Sequence, residues 1–174
     1  MAIAIGERAR DFALPDTDGN EHRLEDGGPA TAVVFTCNHC PYALAWHDRL
    51  LDVARDYADR GVRVLFINPN DSQRYPADSY EAMQERVRGE DWPAPYLHDE
   101  SQDVARAFGA QTTPDVFVLD SDLNLRYRGA PDADYQDASQ NAAWLRQALD
   151  AVVAGGEPER TETEPVGCSV KWKT

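Results

Sequence analysis

Apolar and polar positions change period several times along the chain, and the changes divide it into elements. "DFALPDTDGNEHRLED" holds two short strand-like pieces, 12–14 and 21–24, joined by turn-forming residues 16–20, which predicts a hairpin. The run "TAVVFT" (31–36) reads as a short buried strand. From 41 to 60 the apolar positions Leu44, Leu51, Ala54 and Ala58 recur at helical spacing, and Gly61 is the stop. "VRVLFIN" (62–68) is a second buried strand. Segments 79–88 and 101–108 read as helices with Gly89 and Gly109 at their ends. "DVFVLD" (115–120) and "LNLRYRG" (123–129) are strands one hairpin turn apart, and 139–153 is a last amphipathic helix. A hairpin, a β-α-β unit, further helical segments, a second strand pair and a helix predict an α/β fold with a mixed central sheet and helices on both faces. One domain over 1–174 suffices.

The last stretch, 154–174, has a different character. From Arg160 it is polar and bounded by proline, a composition that by itself stays disordered. Yet in "PVGCSVKW" Val166, Val170 and Trp172 alternate with smaller or charged residues as a strand does. Burying those side chains stabilises a segment by several kcal/mol, on the order of 1.5–3 each. The tail is therefore expected to be ordered and packed back on the domain.

Two of only three cysteines stand where the first central strand hands over to the long helix, in "VVFTCNHCPYALAWHDRL". Asn38 is a good N-cap type, and Pro41 is tolerated in a first turn that has no use for its missing N–H. Cys37 and Cys40 then sit at the positive end of the helix dipole, where thiolate, the nucleophile of disulfide exchange, is stabilised. The dipole alone is too weak. Lowering a thiol from about 8.5 to about 6 takes roughly 3.4 kcal/mol, and a helix terminus supplies about 0.3–1. His39, inside the motif, is the available second charge; its imidazolium favours thiolate over disulfide. Cys37 is expected to be the more acidic thiol.

Charge and composition narrow the surroundings. A formal charge of −14, with Lys171 and Lys173 the only lysines, speaks against a nucleic-acid surface and for a solvated acidic one. No stretch has the apolar length of a bilayer span, and the opening residues reach Glu7 and Arg8 too soon for a secretory signal. The cytoplasm is the expected compartment, where a close cysteine pair is catalytic or metal-binding rather than a staple.

"FTCNHCP" after a buried strand, "TTPDVFVLD" downstream and "LRYRGA" beyond it resemble the thioredoxin superfamily. The opening "IGERARDFALPDTDGNEHRLED" resembles the N-terminal hairpin of its redoxin branch, the alkyl hydroperoxide reductase/thiol-specific antioxidant proteins. The ending "EPVGCSVKWK" is similar to that of a cytoplasmic thioredoxin-like subgroup. The resemblance implies a thioredoxin-like fold and thiol–disulfide exchange with disulfide-bearing or dithiol proteins and a reductant or oxidant partner. It implies Cys37 as the attacking sulfur, Cys40 as the resolving one, and Pro114 as a cis-proline shaping the substrate groove, with Thr113 offering backbone hydrogen bonds. No cofactor is implied, because the electrons sit on the two sulfurs. Two departures stand out: Thr31 occupies the place of thioredoxin's buried acid, and Thr36 that of its tryptophan. The proton acceptor for Cys40 is left open, with Asp115 one option beside its reading as a strand-start polar residue.

Two other functions fit parts of the pattern. In a peroxiredoxin reading Cys40 is the peroxidatic sulfur and Arg126 or Arg128 its cation, but Cys37 stands where a threonine belongs. In a metal reading Cys37, Cys40, Cys168 and a histidine hold zinc or copper. Cys168 itself has two readings, a small buried apolar residue or a third redox thiol. His47, two helical turns after Cys40, shares its helix face; His22 and His98 have no motif around them. Trp46, Trp92 and Trp144 read as packing residues.

Overall fold

In the computed structural model, which describes residues 2–174, the chain opens with the hairpin β1 (Ala13–Pro15) and β2 (Glu21–Arg23), paired antiparallel. There follow β3 (Ala30–Phe35), α1 (Pro41–Ala58), β4 (Arg63–Asn68), α2 (Tyr80–Gly89), β5 (Tyr96–His98) and α3 (Asp103–Phe108). The second half holds β6 (Thr112–Thr113), β7 (Asp115–Asp120), β8 (Leu125–Gly129), α4 (Ala143–Val153) and β9 (Cys168–Ser169). Five strands form a mixed sheet in the order β5-β4-β3-β7-β8, with β3, β4 and β5 parallel and β7 and β8 antiparallel to their neighbours.

Strand β3 lies at the sheet centre because all six of its residues are withdrawn from water. Its side chains alternate between two cores, as the period of a strand requires. Ala30, Ala32 and Val34 face Trp46, Leu50 and Val53 of α1 and Leu145 and Leu149 of α4. Val33 and Phe35 face Phe108 of α3, Phe117 of β7 and Leu14 of the hairpin. Helices thus cover both faces, α1 and α4 on one and α3 on the other. Phe35, Phe108 and Phe117 meet edge to face, with centroids 5.2–5.8 Å apart.

The register of α1 differs from the stripe expected in its sequence. Leu51 and Ala54 are buried, but Leu44 is 48% exposed and Ala58 is also exposed. The inward face runs through Ala43, Trp46, Leu50, Val53 and Tyr57. The bulk of Trp46 and Tyr57 sets the face, and the smaller Leu44 and Ala58 turn away from it. Strand β5 was not expected; it is three residues of "PAPYLHD" that add a parallel edge beside β4. The last helix starts later than its pattern suggests, because 138–140 form a separate helical turn and Asn141 and Ala142 take left-handed conformations.

The tail is ordered. Strand β9 pairs antiparallel with β6, placing Cys168 opposite Thr113 and Ser169 opposite Thr112. Val170 is buried in the α3-side core, and the Arg106 guanidinium lies 4.8 Å over the Trp172 ring. Val166, by contrast, is 38% exposed.

Candidate active site

The site begins where β3 ends. Thr36 still belongs to the ladder, donating its N–H to the Ile67 carbonyl at 2.8 Å, and Cys37 follows with its side chain wholly buried. Asn38 does not cap α1. A residue before proline is pushed out of the helical region, so Cys40 is held extended (φ −74°, ψ 125°) and becomes the N-cap itself. The bend 38–40 lies outside the helix, and Asn38 serves a different purpose. Its N–H donates to Asp78 Oδ1 at 2.7 Å, and its side-chain oxygen accepts from Tyr96 (2.7 Å) and Arg86 (2.9 Å).

Cys37 and Cys40 are both fully buried, with Ala43, Tyr42 and Cys168 packed against them. Above them lies the Thr113–Pro114 peptide, which is cis. Cys37 Sγ lies 3.3 Å from Thr113 Oγ1, and Cys40 Sγ 3.1 Å from the Thr113 carbonyl oxygen. The sequence therefore named four residues, Cys37, Cys40, Thr113 and Pro114, that meet at one point. Cys168 joins them and lies against Cys40.

The residue that sequence reasoning missed is Asp78. It has no solvent exposure, yet it lies at the motif. Its Oδ2 is 2.5 Å from His39 Nδ1, close but without the alignment of a hydrogen bond. Asn68 and Asn70 donate to its two oxygens at 3.3 and 3.0 Å. Only the polar run "NPNDSQRYPADSY" after β4 hints at such a group, and nothing in it singles out Asp78. His39, 30% exposed, also stacks on Tyr75 with rings 5.5 Å apart.

Burial and hydrogen bonding act unequally on the two sulfurs. Cys37 is pushed well above its ordinary range by its hydrogen bond to Cys40, by burial and by the negative charge of Asp78. Cys40 is pulled down to about 4, first by the hydrogen bond from the Cys37 thiol and against the cost of burial. The Cys168 thiol and the Ala43 and Cys168 amides add to that lowering. These shifts belong to the pair rather than to either sulfur, and against a charge on Cys40 its S–H donates to the Thr113 carbonyl oxygen, which can only accept.

The remaining expected participants lie elsewhere. Asp115 is buried and accepts from Gln111 N–H (3.0 Å) and Arg128 (3.3 Å), not from a cysteine; burial raises it to about 6. Arg126 pairs with Asp120 and Glu157. Neither arginine of the peroxidatic reading is bound at Cys40; Arg86 reaches the motif instead, at the Cys37 carbonyl (3.1 Å). Thr31 sits at the far end of β3 near Gly27, so it cannot replace an acid beside the sulfurs. His47 bonds Glu90 at 2.7 Å and is lowered by burial. The three potential ligand atoms that converge within 4.8 Å are Cys37 Sγ, His39 Nδ1 and an Asp78 oxygen, and not the three-cysteine set.

Residues 5–128 match the AhpC/TSA family. The chain belongs to that family. It is similar to the thiol-disulfide oxidoreductase ResA of Geobacillus thermodenitrificans, 29% identical over 129 residues, which is 72% of this chain and 68% of that protein. A solved structure of a hypothetical protein from Sinorhizobium meliloti matches with a TM-score of 0.93 at 38% identity, covering 100% of this chain and 97% of that one. A conserved protein from Geobacillus kaustophilus does so at 0.93 and 39%, covering 98% and 93%. Among the described residues of this redoxin, no helix is long and apolar enough to cross a membrane.

Proposed function

We propose that this redoxin is a thiol–disulfide oxidoreductase in which Cys37 and Cys40 cycle between dithiol and disulfide. One observation carries the reading: two free thiols lie together in a buried site, both against Thr113 of the cis Thr113–Pro114 peptide. Thiolate is the exchanging species, and a sulfur that tolerates charge is both ready to react and easily displaced. The resemblance gives attack to Cys37, whose sulfur can accept from the Thr113 hydroxyl, while Cys40 donates to the Thr113 carbonyl oxygen. His39 tunes the pair through its contact with Asp78, and Thr113 and Pro114 shape the groove. The substrates are thiol- or disulfide-bearing proteins, the setting is the cytoplasm, and 1–174 acts as one domain. Mild oxidation followed by alkylation and peptide mass tests the reading: the peptide carrying Cys37 and Cys40 loses two hydrogens. Full alkylation after oxidant sinks it. Single serine variants presented with a disulfide substrate show which sulfur retains the mixed disulfide, and the thiol state in acid-quenched cells checks the compartment.

A thiol peroxidase reading has in its favour only that the neighbouring Cys37 and Cys168 lower Cys40. Arg126 and Arg128, paired elsewhere, leave it without its cation. Peroxide consumption by the reduced protein is expected to be slow beside disulfide reduction.

A further inference from the structure

The edge of the Thr113–Pro114 peptide, where an extended substrate chain would add, is already occupied by the chain's own tail. Gly167 lies so close to that peptide that a Cβ on it would come within 2.3 Å of the Thr113 carbonyl oxygen and 3.2 Å of Pro114 N. The next residue is Cys168. The fold has a seat for this segment on both sides. Before it, Thr163 exchanges hydrogen bonds with Arg128 and Ala130 at 2.9–3.0 Å. After it, Gln102, buried and left-handed (φ 69°), spends its amide on Lys171 and Lys173 at 2.9 Å each. Asn70 accepts from Lys171 N–H (2.9 Å) while donating to Asp78, so one side chain joins tail and redox site.

We propose that the tail is a built-in occupant of the substrate groove and that Cys168 is its reacting sulfur, forming a Cys40–Cys168 disulfide in exchange with Cys37–Cys40. The proposal rests on the exchange reading above. Cys40 is the middle sulfur, touching Cys37 on one side and Cys168 on the other. Cys168 thiolate attacks Cys40 of the Cys37–Cys40 disulfide; the new bond forms as the old one breaks, and Cys37 leaves as thiolate and takes up a proton from solvent, equivalent to the one Cys168 released. No electrons leave the chain in that step. Cys37 and Cys40 are fully buried and Cys168 only partly, so Cys168 is the outward sulfur. A thiolate of a dithiol partner attacks Cys168, displacing Cys40 as thiolate. The partner's second thiol then closes its own disulfide, frees Cys168 and delivers two electrons to the protein. A merely packed cysteine would make none of these bonds.

Disulfide mapping of the full chain after diamide oxidation tests this in three variants. Cys168→Ser should close Cys37–Cys40, and Cys37→Ser should close an intrachain Cys40–Cys168 bond. Cys37→Ser with Gly167→Ala should lose that bond, because the alanine methyl cannot pass the Thr113 carbonyl. If Cys37→Ser keeps two alkylatable thiols, or pairs only between chains, while Cys168→Ser closes its pair, the inference fails and the exchange reading stands. If neither closes, the exchange reading itself fails. A folded Gly167→Ala variant that closes Cys40–Cys168 undiminished overturns the assigned seating of the tail.

Discussion

Asp78 Oδ2 lies 2.5 Å from His39 Nδ1, so a carboxylate with no solvent exposure stands beside the imidazole of the cysteine motif. Its charge opposes a second one on Cys37, and the His39 imidazole lies directly against that charge. The effect of either residue on the thiols is therefore coupled to the other.

Replacing Asp78 by asparagine removes a like charge from Cys37, which favours its thiolate. In a Cys40→Ser background, where Cys37 titrates alone, thiolate absorbance should show the midpoint fall by about one unit or more. His39→Asn should move it upward, because Asp78 loses the imidazole against it. Midpoints unmoved by both changes would make the Asp78–His39 contact irrelevant to the pair.

The reduced protein should carry one thiolate at neutral pH, belonging to the Cys37–Cys40 pair. An acid whose pKa is lowered is charged above that value, so absorbance persists from neutral pH downward until the pH approaches about 4. Cys40→Ser should abolish it. A single transition near the unperturbed value of about 8.5 would contradict the coupling of the two sulfurs.

The register of α1 makes a stability prediction. Leu44 is 48% exposed and Leu50 is 1% exposed on the same helix. Leu44→Glu should change unfolding free energy by no more than about 0.5 kcal/mol. Leu50→Ala should cost about 2–5 kcal/mol by removing contacts to the sheet. Comparable losses in urea unfolding would restore the stripe that the sequence suggests.

The sheet was legible because burial leaves a local trace: β7 coincides with "DVFVLD", and the alternation within β3 follows from its six apolar or small residues. The cysteine pair and Thr113-Pro114 were legible as motifs. Asp78 was not, since it reaches the motif through a turn forty residues beyond Asn38, and only the folded chain shows that Asn38, Asn68 and Asn70 converge on it. The two-residue ladder of β6 and β9 is likewise too short to leave a period. Its signature is Gly167, whose need for close approach to Thr113 is a tertiary fact. The unequal shifts of the two sulfurs have the same origin, for they depend in part on Asp78 at Cys37 and on the tail at Cys40.

Asp115 supplies a pH dependence separate from the thiols. Burial raises its carboxyl from 3.8 to about 6, outweighing the Gln111 amide and the Arg128 charge, and its Oδ1 has no partner. Below pH 3.8 folded and unfolded chains both hold the proton; between 3.8 and about 6 the folded chain keeps one that the unfolded chain has released. Stability from this group is therefore complete in acid, falls as pH rises through that window and is constant above it. A shift of this size corresponds to about 3 kcal/mol. Asp115→Asn cannot titrate, so its stability relative to the parent should rise by that order between pH 4 and pH 7. The comparison cancels the other carboxylates that titrate over the same range. Urea unfolding of both proteins at several pH values reads the difference directly. Parallel curves would mean that Asp115 is ionised in the folded chain throughout, with its charge fully met by Arg128.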